Sequence, residues 1–205
     1  VIPADASQAE PDPDTRTQAR VVSFDDEPLI VVNPNDTILE YRSKAECHAG
    51  VGILHRAFSV FLFDAQGRLL LQQRSADKPL WPLIWANSCC SHPRRGEEME
   101  EAAARRIDEE LGVTCDLQFV YRFQYHAQYN KRGSENELCS VYLGRVTGDV
   151  TPNVTEIADH AWMDVATFEA SLAAEPERYS PWLKLEWKDL RGEHADVLAQ
   201  YTQPI

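Results

Sequence analysis

Apolar residues recur along this chain in two rhythms. Dense, short runs read as strands: residues 28–33 (PLIVVN), 54–64 (LHRAFSVFLFD), 68–74 (RLLLQQR), 117–126, 137–146 (ELCSVYLGRV) and 159–165 (DHAWMDV). The second and third are joined through Ala65-Gln66-Gly67, a hairpin signal. Helical spacing takes over across residues 97–111, where Ala102, Ala103, Ile107 and Leu111 make one face of mostly small side chains suited to close packing on a sheet. Gly112 supplies its C-terminal cap. A second helix is expected over 166–174. A third begins after Ser180, with Pro181 in its first turn, and runs towards residue 200. Strands with a few interspersed helices predict an α+β domain, a mixed β-sheet flanked by helices. No repeat or internal linker interrupts it, so residues 21–205 read as one domain. Residues 1–20, rich in proline and acid, read as a flexible N-terminal tail.

Composition narrows the partners. Thirty-three acidic residues against twenty basic ones give a net charge of −13, which argues against sequence-independent nucleic-acid binding. No window approaches the roughly 18 apolar residues of a membrane span, and the N-terminal residues lack the basic and apolar regions of a signal peptide. Five cysteines, an odd number with no C-x-x-C, make a poor disulfide framework and a poor zinc finger. Free thiols in a cytoplasmic protein are expected, with Cys115 and Cys139 as small core residues. Five lysines against fifteen arginines fit either adaptation to high salt or a GC-rich genome, and both readings stay open.

Chemistry concentrates in four places. Residues 81–93, WPLIWANSCCSHP, set Cys89 and Cys90 side by side before His92. A metal site, a redox pair, a nucleophile and core packing all fit that stretch in isolation. Extended backbone sends Ser88, Cys90 and His92 to one face and Cys89 to the other. Glu135 and Glu137, two apart in a strand, also share a face. With His48, His55 and His92 they would make a mixed nitrogen and oxygen donor set suited to a divalent cation such as Mn²⁺, Zn²⁺ or Mg²⁺, although two histidines seven apart are by themselves more often structural. The fourth place is the helix of residues 97–111.

Residues 91–113, SHPRRGEEMEEAAARRIDEELGV, closely resemble the Nudix signature G-x5-E-x7-R-E-U-x-E-E-x-G-U, with Glu97, Arg105, Ile107, Glu109, Glu110, Gly112 and Val113 in register. Ser91 stands for the leading glycine and Arg106 for the glutamate after the arginine. That glutamate and the E-E pair gather metals in Nudix hydrolases, one helical turn apart. Arg106 removes a ligand and adds a cation, so a Nudix-like fold is implied while hydrolysis is disfavoured.

The motifs C-H-A-G-V-G-I-L-H-R-A-F-S at 47–59, W-x-N-S-C-C-S-H-P at 85–93, E-N-E at 135–137 and Y-S-P-W at 179–182, in this order within a resemblance that runs from about residue 28 to 190, resemble type I isopentenyl diphosphate isomerases. That resemblance implies interconversion of isopentenyl and dimethylallyl diphosphate through a tertiary carbocation. It implies one Mg²⁺ or Mn²⁺ on His48, His55, His92, Glu135 and Glu137, with Cys90 and Glu137 as the acid–base pair and Tyr125 hydrogen-bonded to Glu137. Trp182 would face the cation. Lys44, Arg74, Lys78 and Arg106 would clamp the diphosphate, with a second Mg²⁺ at Glu110. An unperturbed thiol, with pKa about 8.5, is protonated near neutrality, which suits proton donation or relay better than nucleophilic attack. Trp81 and Trp85 are expected as walls of cavity and core, Arg94, Arg95 and Arg105 as surface or structural residues, and His126, His160 and His194 as exposed or half-buried. The expected partner is a small allylic or homoallylic diphosphate, taken up by a monomer or weak dimer.

Overall fold

The computed structural model describes residues 19–205. All but the last two residues of the expected tail lie outside that range. The main-chain carbonyl of Arg20 accepts hydrogen bonds from Asn153 Nδ2 (2.7 Å) and Thr155 Oγ1 (3.1 Å), which tie residue 20 to the loop that precedes residue 157. No helix among the described residues is long and apolar enough to cross a membrane.

In chain order the elements are β1 (Pro28–Val32), β2 (Ile38–Ser43), α1 (Lys44–His48), β3 (His55–Phe63), β4 (Leu69–Arg74), β5 (Trp85–Ala86), β6 (Cys89–Ser91), α2 (Met99–Leu111), β7 (Leu117–Gln128), β8 (Ser134–Arg145), β9 (Ile157–Met163), α3 (Val165–Ala174), α4 (Pro181–Arg191) and α5 (Ala195–Thr202). The strands join in one mixed sheet organised on β3. One edge of β3 runs parallel to β8, from His55↔Glu137 to Phe63↔Arg145. Its other edge is shared by β1 at His55, β6 at residues 58–60 and β4 at Phe63, all antiparallel. β7 extends the sheet beyond β8, and β5 and β9 pair with β4.

Alternation along β3 divides the core. Phe58, Val60 and Leu62 turn to the face covered by α2 and meet Ala102, Ala103, Ile107 and Leu111, each wholly buried. Phe61 and Phe63 turn the other way, onto α3, α4 and α5 through Phe168, Leu183, Trp187 and Leu198. His55, Ala57 and Ser59 share that second parity, further along the strand, and there the sheet face is built into a site instead of a packed core.

The structure departs from the sequence expectation at four elements. The third helix does not run on to residue 200; it breaks at Gly192 (φ −95°, ψ −90°) and restarts as α5 behind His194. α2 starts at Met99, because the Glu97 carboxylate accepts from the Arg94 backbone N–H (2.8 Å) and pairs with Arg105. β2 was not anticipated because its side chains are nearly all exposed, so it lacks a buried alternation. α1 is a five-residue helix started by a reciprocal cap between Ser43 and Glu46, too short for a periodic signal. The Ala65-Gln66-Gly67 turn forms as expected, with Gly67 at φ +76°, as does the Gly112 cap at φ +66°.

Candidate active site

β3 brings together what the chain keeps apart. His55 sits beside Glu137 across the parallel pairing, and Ser59 sits beside Cys90 across the antiparallel one. Cys90 and Glu137 therefore arrive from strands on opposite edges of β3 and project from one face of the sheet. Cys89, one residue away, shares the other face with Val60 and is fully buried in the cluster that includes Ala102 and Ile107. Alternation in a three-residue strand assigns the two cysteines to different worlds.

The three histidines converge, with ring centroids 4.8–5.3 Å apart. His48 Nδ1 donates to the Lys44 carbonyl and His55 Nδ1 to the Ile53 carbonyl, both at 2.7 Å. With Nδ1 so engaged, each Nε2 is turned towards the centre. His48 Nε2 lies 2.8 Å from Glu135 Oε2, and His92 Nε2 lies 3.2 Å from Glu137 Oε1, with His55 Nε2 3.7 Å from the same oxygen. His48, His55, His92 and Glu137 offer donor atoms all within 4.8 Å of one another. Glu135 joins through His48. His55 Nε2 is buried and has no hydrogen-bond partner among the described residues, as expected of a ligand atom awaiting a cation. The residues present thus fit a divalent cation.

Burial dominates the proton affinities here. It pushes His55 down to about 3, helped by His48, and holds His92 well below the ordinary imidazole value. Burial, and then the neighbouring Glu135, raise Glu137 well above the usual carboxylate range. Tyr125 O–H donates to Glu137 Oε2 at 2.6 Å and stays firmly protonated, mainly through burial. The Cys90 thiol is raised well above its ordinary value by burial and next by Glu186, so it is neutral.

His48, Cys90, His92, Tyr125, Glu135 and Glu137 line a cavity of about 320 Å³. Trp182, at the start of α4, forms part of its wall, with Trp81 edge-on at 5.4 Å and the Arg74 guanidinium over the indole at 5.3 Å. Arg74 is fixed by donating to the carbonyls of Leu80 (2.9 Å) and Trp81 (3.0 Å). Lys44, Lys78 and Arg106 also line the cavity, so all four expected cations gather there. Lys44 donates to the Ser23 hydroxyl, and burial, followed by the nearby Lys78, lowers it to about 8.

Two acids qualify the expected clamp. Glu156 pairs with Lys78 and, at 3.2 Å, with Arg106. Glu110 is paired with Arg106 and is buried behind it, off the cavity wall. Arg106 Nη1 donates further to the Val22 carbonyl at 2.7 Å, so residues before β1 lie against the cation cluster. Arg105 makes a two-armed bond to Glu97 (2.7 and 2.9 Å), Arg94 pairs with Glu27, and Arg95 lies over Tyr41, all away from the cavity as expected. Trp85 belongs to the core, His126 is exposed, and His160 and His194 are half-buried.

Sequence reasoning overlooked Asn87, Ser59, Glu156 and Glu186. Asn87 stood inside the quoted N-S-C-C-S-H stretch; it is wholly buried, and its Oδ1 accepts from Cys90 Sγ (2.7 Å) and Trp182 Nε1 (3.1 Å). Glu186 lies one turn from Trp182, a spacing that places both on one helix face. Ser59 closed the C-H-A-G-V-G-I-L-H-R-A-F-S motif, whereas nothing local marked Glu156.

The fold and a divalent-cation site beside a cation-lined cavity define a Nudix domain, and the NUDIX domain family matches residues 53–183. A crystal structure of DR0079 from Deinococcus radiodurans shares the fold, with a TM-score of 0.59 at 23% identity over 72% of this chain and 90% of that one. Isopentenyl-diphosphate Delta-isomerase 1 of Aromatoleum aromaticum is 44% identical over 76% of this chain and 88% of its own. The Isopentenyl-diphosphate Delta-isomerases of Nocardia farcinica (49% identical; 68% and 80%) and Klebsiella pneumoniae subsp. pneumoniae (40% identical; 85% and 97%) match similarly. The chain belongs to the isopentenyl-diphosphate Delta-isomerase family.

Proposed function

We propose that this protein interconverts isopentenyl and dimethylallyl diphosphate, with Cys90 and Glu137 as the proton-transferring pair. The observation that carries the reading is a neutral thiol and a buried carboxyl supplied from opposite edges of β3 to one small cavity. Moving a double bond by one carbon requires a proton delivered at one end of the allylic unit and another removed at the far end. The intermediate is a tertiary carbocation that water would trap, so the reagents must stand in a dry pocket. Cys90 and Glu137 are both recessed, and Tyr125 donates to the Glu137 oxygen that faces away from His92, holding the carboxyl in place. The Trp182 indole supplies an electron-rich wall worth about 0.5–2 kcal/mol to a cation. Reversibility exchanges the acid and base roles of Cys90 and Glu137 with direction.

One Mg²⁺ or Mn²⁺ would be held by His48, His55, His92, Glu135 and Glu137. Bound there, the ion supplies positive charge that favours ionised Glu137. Lys44, Arg74, Lys78 and Arg106 would take the diphosphate, which must compete with Glu156 for Lys78 and Arg106. A second Mg²⁺ at Glu110 requires that carboxylate to share or leave Arg106. The test is incubation with isopentenyl diphosphate and Mg²⁺ in D₂O, following deuterium incorporation and isomer formation. Recovery of unlabelled, unchanged substrate would overturn the proposal.

A further inference from the structure

Glu186 is fully buried on α4, and the acid–base scheme above does not use it. Its Oε1 lies 3.7 Å from Cys139 Sγ, while Oε2 has no partner among the described residues. Cys139 Sγ lies 3.5 Å from Ser59 Oγ, and Ser59 Oγ lies 3.5 Å from Cys90 Sγ. Cys90 in turn donates to Asn87 Oδ1. The far end of this line has a fixed direction. Asn87 Nδ2 donates to the carbonyls of Val60 (3.2 Å) and Cys89 (3.1 Å), so its oxygen must face Cys90.

Each intermediate group owns one proton, and that limits the directions the rest can take. Cys90 gives its proton to Asn87, so its sulfur can only accept, and Ser59 O–H points at it. The Ser59 oxygen then accepts from Cys139. Cys139 has one proton for two oxygens, Ser59 Oγ and Glu186 Oε1, and giving it to Ser59 leaves the contact with Glu186 a hydrogen bond only if Glu186 donates. An ionised Glu186 would claim that proton, but it would stand fully buried with Oε2 unpartnered among the described residues and with no cation facing it, the arrangement that favours the neutral acid.

We propose that Glu186 is carried as a neutral carboxylic acid that heads this one-way chain and positions Ser59, and through it the Cys90 thiol. The inference rests on Cys90 being the reacting thiol, as proposed above. When the Cys90 S–H swings from Asn87 to the substrate, it turns about a sulfur that Ser59 keeps in place. Burial raises Glu186 to about 8, against opposing contributions from Ser59 and Cys139 and with a small addition from Asp189. The titratable groups facing it are Cys139 and Glu137 from β8, Cys90 from β6, Tyr121 from β7 and Asp189 on its own helix; none is a cation.

The test uses the metal-loaded protein and its Glu186→Gln, Glu186→Leu and Ser59→Ala variants. Infrared spectra of the wild type near neutral pH should show a protonated-carboxyl C=O band that shifts in D₂O and is missing from Glu186→Gln. Glu186→Leu and Ser59→Ala should each lower kcat about tenfold with little change in KM, the loss of roughly one positioning hydrogen bond. Glu186→Gln should restore most of kcat, because its amide N–H donates to Cys139 without bringing a charge. Wild-type kcat should fall as the pH rises past about 8, and the Glu186→Gln profile should lack that limb. Absence of the band, or a Glu186→Leu enzyme with wild-type kcat and pH profile, overturns the role of Glu186. Failure of the wild type to make dimethylallyl diphosphate would instead sink the isomerase reading itself.

Discussion

Gly133, at the turn between β7 and β8, offers a sharp test of how the metal site is held. Its α-carbon faces the backbone of α1, where Ala49 and Gly133 form an isolated bridge and the Gly50 N–H donates to the Arg132 carbonyl at 3.3 Å. A β-carbon there would overlap the main-chain carbonyl oxygen of His48 and press on Leu80 Cδ2 at 3.1 Å. Relief of the first overlap needs a displacement of roughly 1 Å. The closer clashing partner, the His48 carbonyl, is backbone, so the turn and α1 must separate, at a cost of about 1–3 kcal/mol. His48 rides on α1 and Glu135 on the strand that follows Gly133, with their facing atoms 2.8 Å apart. Metal sites tolerate only about 0.2 Å of ligand displacement. Gly133→Ala should therefore weaken Mn²⁺ binding by about 10–100-fold, the scale seen when outer supports of metal ligands are removed. Calorimetric Mn²⁺ titration measures it. Gly96→Ala is the control: it strains a residue at φ +78° but meets nothing within 4 Å and lies outside the cavity wall. Wild-type Mn²⁺ affinity in Gly133→Ala would refute the idea that this contact sets the His48–Glu135 spacing.

Further outcomes follow from the same geometry. Cys90→Ala should lose about 10²–10⁴-fold in kcat, whereas Cys89→Ala keeps near-normal turnover and loses only some thermal stability; the reverse pattern in steady-state assays would mean the strand register is wrong. Trp182→Phe should retain partial activity and Trp182→Ala should lose most of it, since alanine removes both the aromatic wall and the bond to Asn87; equal, full activity would rule out the indole's part. Alanine at His55 or His92 should reduce the metal content of the purified protein, measured by elemental analysis, and undiminished loading would count against the ligand set. For Glu186 the sign of the pH linkage is definite. Its native pKa is raised from 4.5 to about 8, so the native state binds its proton more tightly than the unfolded chain does. That advantage is complete below 4.5 and is lost as the pH climbs to about 8. Relative to Glu186→Gln, the wild type should thus lose stability to guanidinium across this range, by at most about 5 kcal/mol. A stability difference that does not vary with pH would contradict it.

The strands around the site were legible because β3, β4 and β8 carry dense apolar runs, and the α2 face because its small residues keep helical spacing. Alternation alone separated Cys90 from Cys89, and the pairing of β6 with β3 bears that out. Gathering His48, His55 and His92 was beyond local reasoning, since it depends on a five-residue helix with no periodic signal and on a three-residue strand. The same holds for Glu156, which meets Lys78 and Arg106 only because β9 pairs with β4 and brings the preceding loop over the cavity. Glu186 was hidden for a different reason: a charged residue in an otherwise amphipathic helix is ordinarily taken for its solvated side, and only tertiary packing reveals that it points inward.

The opposed faces of β6 also bear on how the protein would age under an oxidant. A reactive thiol escapes damage when a second sulfur can reach it and trap the first oxidation product as a disulfide. Cys89 is adjacent in the chain yet turned through the sheet, and joining the pair would require the strand to be undone. The other sulfur in the neighbourhood, Cys139, is separated from Cys90 by the Ser59 hydroxyl. Cys90 therefore has no ready rescuer, and peroxide should add oxygen to it stepwise towards the irreversible acids, visible as mass increments on the peptide that carries it. The arrangement that reserves one sulfur for the cavity leaves that sulfur dependent on its own burial for protection.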